Sequence, residues 1–409
     1  MNTRNLDGLP LEGIRVLDFS HAAAGPFASM YLADLGAEVI KIEKPGRGDG
    51  ARFMGVPLLG PRESDYYLAL NRNKKSVLID LHIEEGVKLA LKLAATSDVV
   101  LQNFRPGVMD RLGLGYDQIR AVRRGIIYCS ISAFGVSGPS AGLPANDIIM
   151  QSVSGIMGVT GEPDGGPVRV GAPVTDFSTG LFALSGLLAG LIARDRHPEG
   201  QHIEVAMLDS AIALMSNYIP SIVAGQRTRI PRVGRAHAQI VPYQAFECAD
   251  DAYIMVGAFT NAFWERLAGA LGHPEWLADE RFATNADRLA HKSLLIPAIE
   301  DVFRTRPRSH WLKVLEAADV PRSPVLELHE ALVSDQAVHN RVVNTITEDD
   351  RSVGVSRNPI RSGEWPARED TIAPRMGTNT NEVLSRLIGL EAAEIEALAS
   401  DGVVGLSHE

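Results

Sequence analysis

Asp176 stands where a glycine- and proline-rich loop, Thr160-Gly-Glu-Pro-Asp-Gly-Gly-Pro-Val-Arg-Val-Gly-Ala-Pro-Val-Thr-Asp176, runs into a long apolar stretch, Phe177 to Ala193. A carboxylate at a helix start is an ordinary N-cap, since its oxygens accept from the free N–H groups of the first turn and its charge meets the positive helix end. The same position suits a nucleophile, provided the carboxylate is held still, kept largely dry and set beside donors that stabilise a developing oxyanion. Three basic turns complete the set of chemistry-bearing residues: Lys44-Pro-Gly-Arg-Gly-Asp49 with Arg52, Asn71-Arg-Asn-Lys-Lys75, and Asn103-Phe-Arg-Pro-Gly-Val-Met-Asp-Arg111. Singly, each reads as a solvated face; converging on one sheet edge, they would hold a multiply phosphorylated ligand, with Phe104 against a flat ring. The eleven histidines are scattered and neither His-Glu-x-x-His nor Cys-x-x-Cys occurs, so no catalytic metal is expected.

The elements that must position these residues are those of an α/β fold. Ile14-Arg-Val-Leu-Asp-Phe19 reads as a buried strand, Phe27 to Leu35 as a helix, and Ala37-Glu-Val-Ile-Lys-Ile-Glu43 as a second strand, which makes a βαβ unit. Further strands at Asp98–Gln102, Ile126–Ile131 and Gly200–Met207, with helices such as Glu84 to Ala95 between them, extend this to a doubly wound parallel sheet. Glu43 closes the second strand where a ribose-binding acid would sit, yet the first turn is Ala22-Ala-Ala-Gly-Pro26 and lacks the Gly-x-Gly-x-x-Gly cradle. Phosphate binding without a dinucleotide is the sharper expectation. Phe177 to Ala193 is shorter than about 20 residues and carries Ser178, Thr179, Ser185 and three glycines, so it reads as a buried core helix rather than a membrane span. Gly186 and Gly190 permit close backbone approach, in a core or at a subunit contact.

At 409 residues the chain has room for two domains. We expect a large α/β domain over residues 1–224, a smaller α/β domain over 225–334 entered through the basic, turn-rich Gly225–Arg235, and a segment 335–409 that returns to the large domain. A net charge of −10 gives no global attraction to nucleic acid or to an anionic membrane. Two cysteines outside any ligand spacing fit a reducing compartment, and Met1 to Gly8 lacks the pattern of an export signal, so a cytoplasmic location is expected.

Several segments together carry a resemblance: Val16-Leu-Asp-Phe19 with Ala24-Gly-Pro26, Leu35-Gly-Ala-Glu-Val-Ile-Lys-Ile-Glu43, Asn73-Lys-Lys-Ser76, Asn103-Phe-Arg-Pro-Gly107, Gly161-Glu-Pro-Asp-Gly-Gly-Pro167 and Asp176-x-x-x-Gly180. Over nearly its full length the chain resembles the family III CoA-transferases, the group that includes formyl-CoA and carnitine CoA-transferases. The resemblance implies that Asp176 attacks an acyl-CoA thioester to give an aspartyl anhydride and then an aspartyl-CoA thioester, before an acceptor carboxylate takes the CoA. It also implies CoA contacts at Ala23, Ala24, Lys44, Ile79, Asp80, Leu81, His82, Asn103, Phe104, Arg105 and Arg111, with Asn146 and Asp147 bordering the thioester. Coenzyme A and acyl-CoA would be substrates and no cofactor would be tightly bound, while two subunits would interlock as a homodimer.

Departures from formyl-CoA transferase argue against formate or oxalate as substrate: Ala23 is small where that enzyme has a polar side chain, and its glycine-rich loop is not evident between Gln244 and Phe263. Arg52, Arg235 and His237 are candidates to pair with a second carboxylate, which suggests a short dicarboxylate such as succinate. The related α-methylacyl-CoA racemases are the alternative enzyme, but they need a histidine where this chain has Asn146, and an amide is no general base. A CoA-binding protein in which Asp176 only caps a helix is the alternative of another class.

Overall fold

The computed structural model describes residues 8–407. The amino-terminal stretch on which the expectation about export rests lies, apart from Gly8, outside the described residues. The chain forms two compact units, one of residues 8–156, 169–224 and 338–407, the other of residues 157–168 and 225–337.

The first unit is built on β1 (Arg15–Asp18), β2 (Glu38–Glu43), β3 (Lys74–Ile79), β4 (Val99–Gln102), β5 (Ile127–Ser132) and β6 (Gln201–Ala206). They lie in the order β3-β2-β1-β4-β5-β6, all parallel, and the short strand Val404–Gly405 adds antiparallel to β3 as a seventh. Neighbouring residues along each strand point to opposite faces, and both faces are covered, which is why the strands read as continuous apolar runs. Val16, Val39, Leu101, Ile127 and Cys129 pack beneath α1 (Ala24–Asp34) on one side. Leu17, Ile40, Val77, Val100 and Tyr128 pack beneath α2 (Glu84–Ala95) on the other. Because β1 pairs with both β2 and β4, successive crossovers leave it in opposite directions and open a crevice at the carboxyl ends of the strands.

Beyond α3 (Asp147–Val153) and a short helical turn at Ile156–Val159 comes α4 (Val174–Ala193), which is long and apolar enough to cross a membrane by length and composition alone. It is a partly buried core helix. Ala183, Leu184 and Leu187 join α1 over the sheet, each buried leucine contributing roughly 1.5–3 kcal/mol. Its glycines serve that packing: a Cβ on Gly190 would sit 2.9 Å from the Ile127 side chain, and one on Gly186 would sit 3.0 Å from that of Ile203.

The carboxyl-terminal segment covers the β3 edge. Thr380 Oγ1 accepts from the Leu78 N–H at 3.1 Å and Asn379 Oδ1 from the Ser76 N–H at 3.0 Å. Val383, Leu384 and Ile395 extend the core on the α2 side. The segment also contains an antiparallel hairpin, Val343–Glu348 with Arg351–Ser356, which the sequence analysis did not assign.

The second unit centres on a three-stranded antiparallel sheet, Tyr243–Glu247, Tyr253–Gly257 and Arg322–Pro324, packed against Trp264, Leu267, Leu295, Phe303 and Trp311. The glycine-proline loop ahead of Asp176 contributes to this unit: Gly161 O accepts from Gly234 N–H at 2.9 Å and Gly165 O from Arg232 Nη2 at 2.7 Å.

Candidate active site

Asp176 is the third residue of α4, and Pro173 takes the cap position without any side-chain cap. The expected role of Asp176 as N-cap is therefore replaced. Asp147 does that work from the start of α3: its Oδ1 accepts from Thr175 N–H at 2.9 Å, Thr175 Oγ1–H at 2.7 Å and Asp176 N–H at 3.4 Å. Gln151 Nε2 donates to the other oxygen at 2.7 Å. The free N–H groups of the helix start are thus met by a buried carboxylate from another element. Among the described residues no hydrogen bond or ion pair engages the Asp176 carboxylate.

Burial, together with the charge of Asp147, pushes the Asp176 carboxyl up to about 7. A carboxylate this basic is a better nucleophile than one near 4 and is still substantially ionised at neutral pH. Its charge also reaches Tyr66, whose phenol burial and Asp176 together raise to about 12, so that side chain stays an O–H donor.

Four residues on from Asp176, and hence on the same helix face, Gly180 meets the start of α1. A Cβ there would come within 2.7 Å of Ala24 O. Phe177 stacks on Phe27 with ring centroids 4.5 Å apart. The Asp-x-x-x-Gly spacing therefore seats the carboxylate against the Ala23-Ala24 turn.

That turn and Asp176 line one cavity of about 230 Å³, together with His21, Ala22, Asn103, Phe104, Arg105 and Asn146 and with small or apolar side chains from Ile131 to Ala145 and from Met207. A second cavity, of about 350 Å³, is lined by Lys44, Arg47, Ile79, Asp80, Leu81 and His82 and by the apolar Phe19, Ile42, Phe104 and Leu112. His21 and Phe104 belong to both. The two lie over the strand ends where the sheet order reverses. An apolar slot edged by cations suits a flat ring with phosphates, and the smaller chamber beside it is lined by the Asp176 carboxylate.

Local structure explains the walls of the second cavity. Asp80 Oδ1 accepts from His82 N–H at 2.9 Å, which closes a tight turn after β3, and Lys44 Nζ reaches the other oxygen at 3.5 Å. Burial alone would raise the Asp80 carboxyl, but His82 and Lys44 hold it below the usual range. Gly86 lets α2 begin against this turn, since a Cβ there would lie 2.1 Å from Asp80 O.

Beneath the cavities the first turn is fastened to a buried ionic layer. Asn103 Oδ1 accepts from His21 N–H and its Nδ2 donates to His21 O, both at 2.8 Å. Ala22 holds φ at +62°, a left-handed conformation that costs a non-glycine residue roughly 1–3 kcal/mol, and donates its N–H to Asp49 Oδ1 at 3.0 Å. Asp49 pairs with Lys41 at 2.8 Å, both side chains fully buried.

Several expectations change. Of the three basic turns, the stretch Asn71–Lys75 does not reach the crevice, because it enters β3 and so lies toward the opposite edge from the strand exits. Arg72 is buried on Asp34 at 2.6 Å, Lys74 lies 3.4 Å from Asp18, and Lys75 pairs with Glu38 and Glu382. Glu43 is no free ribose acceptor: it forms a bidentate pair with Arg52, both bonds 2.7 Å, and accepts from Ser76 Oγ at 2.6 Å. Arg52 is thereby unavailable to a second substrate carboxylate. Arg235 pairs with Glu300 at 3.0 Å, and His237 Nδ1 accepts from the N–H groups of Gln239 and Ile240, so neither is a ready substrate cation. Arg111 is exposed on a short helical turn and lines neither cavity. Asp147 lines neither as well, its oxygens being taken up by Thr175 and Gln151, while Asn146 lines the smaller one and accepts from Ile149 N–H at 3.2 Å.

Arg47, inside the basic loop already singled out, lines the larger cavity. Sequence reasoning passed over His21, which immediately precedes the alanine turn, and Met207, which lines the smaller cavity only through the fold and leaves no local signal.

The profile of CoA-transferase family III matches residues 11–380. The succinyl-CoA:glutarate CoA-transferase of Homo sapiens is 37% identical over 401 residues, covering 98% of this chain and 91% of its own. The acetyl-CoA:oxalate CoA-transferase of Acetobacter aceti is 36% identical over 370 residues, covering 90% of this chain and 93% of its own. In structure, a CAIB/BAIF family protein from Brucella suis superposes with a TM-score of 0.85 at 33% identity, covering 93% of this chain and all of that one.

Proposed function

The chain belongs to CoA-transferase family III and is an acyl-CoA:carboxylate CoA-transferase, and from that premise we propose that Asp176 is its nucleophile and that the two cavities hold the two ends of coenzyme A. The adenine and phosphates occupy the larger cavity, with Lys44 and Arg47 on the phosphates and Phe104 beside the passage. The pantetheine chain passes His21 and Phe104, and the thioester lies beside Asp176, between the Ala23-Ala24 turn and Asn146.

The steps balance without metal or redox chemistry. Asp176 attacks the thioester carbonyl, the C–S bond breaks with its electron pair on sulfur, and a mixed anhydride forms. The thiolate then attacks the aspartyl carbonyl, releasing the donor acid and leaving an aspartyl-CoA thioester. The acceptor carboxylate attacks that carbonyl and expels the thiolate again, and the thiolate takes the new acyl group, which frees Asp176. N–H groups at the start of α1, where Ala23 and Ala24 border the chamber, are positioned to meet the tetrahedral oxyanions.

The observation that carries this reading is a half-buried carboxylate without a hydrogen-bond or ion-pair partner among the described residues, in a chamber that shares His21 and Phe104 as walls with a basic, apolar slot. For substrates we favour short acyl-CoA thioesters and short dicarboxylates such as succinate and glutarate, a choice supported by the small chamber, by Arg105 in its wall and by the activities named for the relatives. The deciding experiment offers succinyl-, acetyl- and formyl-CoA with a panel of mono- and dicarboxylates and follows new thioesters by mass. Transfer among C4–C6 dicarboxylates is the expected result; transfer confined to formate or oxalate would overturn the substrate assignment. A racemase reading finds no second base at Asn146.

A further inference from the structure

His21 occupies the wall common to both cavities, and an unusual amount of structure is arranged around it. Asn103 clamps its peptide group from both sides, its neighbour Ala22 is held at φ +62°, and Asp49 accepts from the Ala22 N–H. The same Asp49 oxygen lies 3.6 Å from His21 Nδ1. Asp49 is backed in turn by Lys41 at 2.8 Å. Backbone strain persists only where the surroundings over-determine it, and every group that does so here also orients one imidazole. The ring stands edge-on to Phe104 with centroids 5.5 Å apart. With Nδ1 turned to a buried carboxylate, Nε2 across the ring is the nitrogen left for the cavity that contains Asp176.

In the transfer chemistry one species has no partner assigned so far. Each time a C–S bond breaks, the CoA sulfur carries a full negative charge in a partly desolvated chamber, and it must stay there to attack in the next step. Thiolates are stabilised by an adjacent N–H donor. We propose that His21 is a catalytic residue that binds this thiolate through Nε2–H, with Nδ1 facing Asp49 Oδ1 at 3.6 Å. No proton is transferred: the electron pair of the broken C–S bond remains on sulfur until it attacks the anhydride carbonyl. The proposal rests on the assignment of Asp176 as nucleophile.

The test is a binding comparison that needs no turnover. Wild type, His21→Leu and His21→Gln are titrated at pH 8 with CoA and with desulfo-CoA, in which hydrogen replaces the thiol, after thermal melting has established that each variant is folded. Wild type binds CoA on the order of tenfold more tightly than desulfo-CoA, the scale of one charge-assisted hydrogen bond. In His21→Leu that preference disappears while desulfo-CoA binds as in wild type; should that variant not fold, His21→Gln, which keeps a side-chain amide toward Asp49, is read in the same way. Turnover by the folded variant falls on the order of 10²-fold in kcat with KM for acyl-CoA little changed. Equal weakening of both ligands, absence of a sulfur preference in wild type, or an unchanged kcat each overturns the proposal. Asp176→Asn separates the two assignments: it retains the sulfur preference if His21 binds sulfur, whereas turnover by Asp176→Asn would remove the nucleophile alone.

Discussion

Asp176, the proposed nucleophile, is relieved by another residue of the task its position invites. Asp147 satisfies the helix start, so the second carboxylate can remain unbonded, basic and exposed to a thioester. Since the folded protein holds the Asp176 carboxyl near 7, above its unfolded value near 4, its protonation adds stability that is present at low pH and lost as pH rises through about 7. Asp176→Asn therefore melts higher than wild type at pH 8, and the gap narrows toward pH 5, measurable by calorimetry across that range. For the same reason kcat/KM of the free enzyme rises with pH and levels off above about 7, as the reactive ion forms. The buried Glu43–Arg52 pair makes a contrasting prediction about stability: Arg52→Ala strands a fully buried carboxylate and costs about 3–5 kcal/mol in denaturant unfolding, although Arg52 touches neither the Asp176 chamber nor the larger cavity. Asp176 itself was legible from residue type and its place ahead of an apolar run. Asp147 as its supporting partner was not, because a cap supplied from 29 residues away leaves no local pattern.

At the scale of elements, the sheet order turns local sequence into a site. Turns leaving β1, β2, β3 and β4 reach one edge, and the Lys44 and Asn103 turns were recognised on charge; the Asn71 turn misled because charge says nothing about whether a turn enters or leaves a strand. The hairpin at Val343–Ser356 was missed although Ile346, Val353 and Val355 alternate with exposed residues, since its turn, with Asp349 at φ +51°, lacks the usual glycine. Gly180 is the element-level counterpart of Asp176. A methyl group there must push α4 away from a backbone oxygen of α1, so Gly180→Ala lowers kcat more than it raises KM for acyl-CoA, whereas Gly158→Ala, where a Cβ would meet open space, leaves both nearly unchanged. On the other side of the passage, Lys44→Ala raises KM for acyl-CoA on the order of tenfold with little change in kcat, as loss of a phosphate contact should.

The whole molecule leaves large apolar side chains uncovered in its first unit: Phe182 is 44% exposed, Ile192 74% and Val223 80%. On α4, Gly186 and Gly190 are spent on the sheet, while Leu181, Phe182 and Ile192 are exposed and left for a subunit contact. We expect a homodimer, interlocked as the family resemblance implies, that survives dilution to nanomolar concentration; a monomeric mass by light scattering or mass photometry would contradict it, and Ile192→Asp should weaken it. Such a contact was only partly legible, because an apolar helix reads alike whether it faces a core or a partner. Whatever the assembly, the proposed transfer requires a covalent bond to one side chain. Hydroxylamine added during turnover with an acyl-CoA should convert Asp176 to a hydroxamate, detected as a mass shift on the peptide that contains it; an unmodified Asp176 peptide under conditions of full CoA exchange would contradict the covalent route.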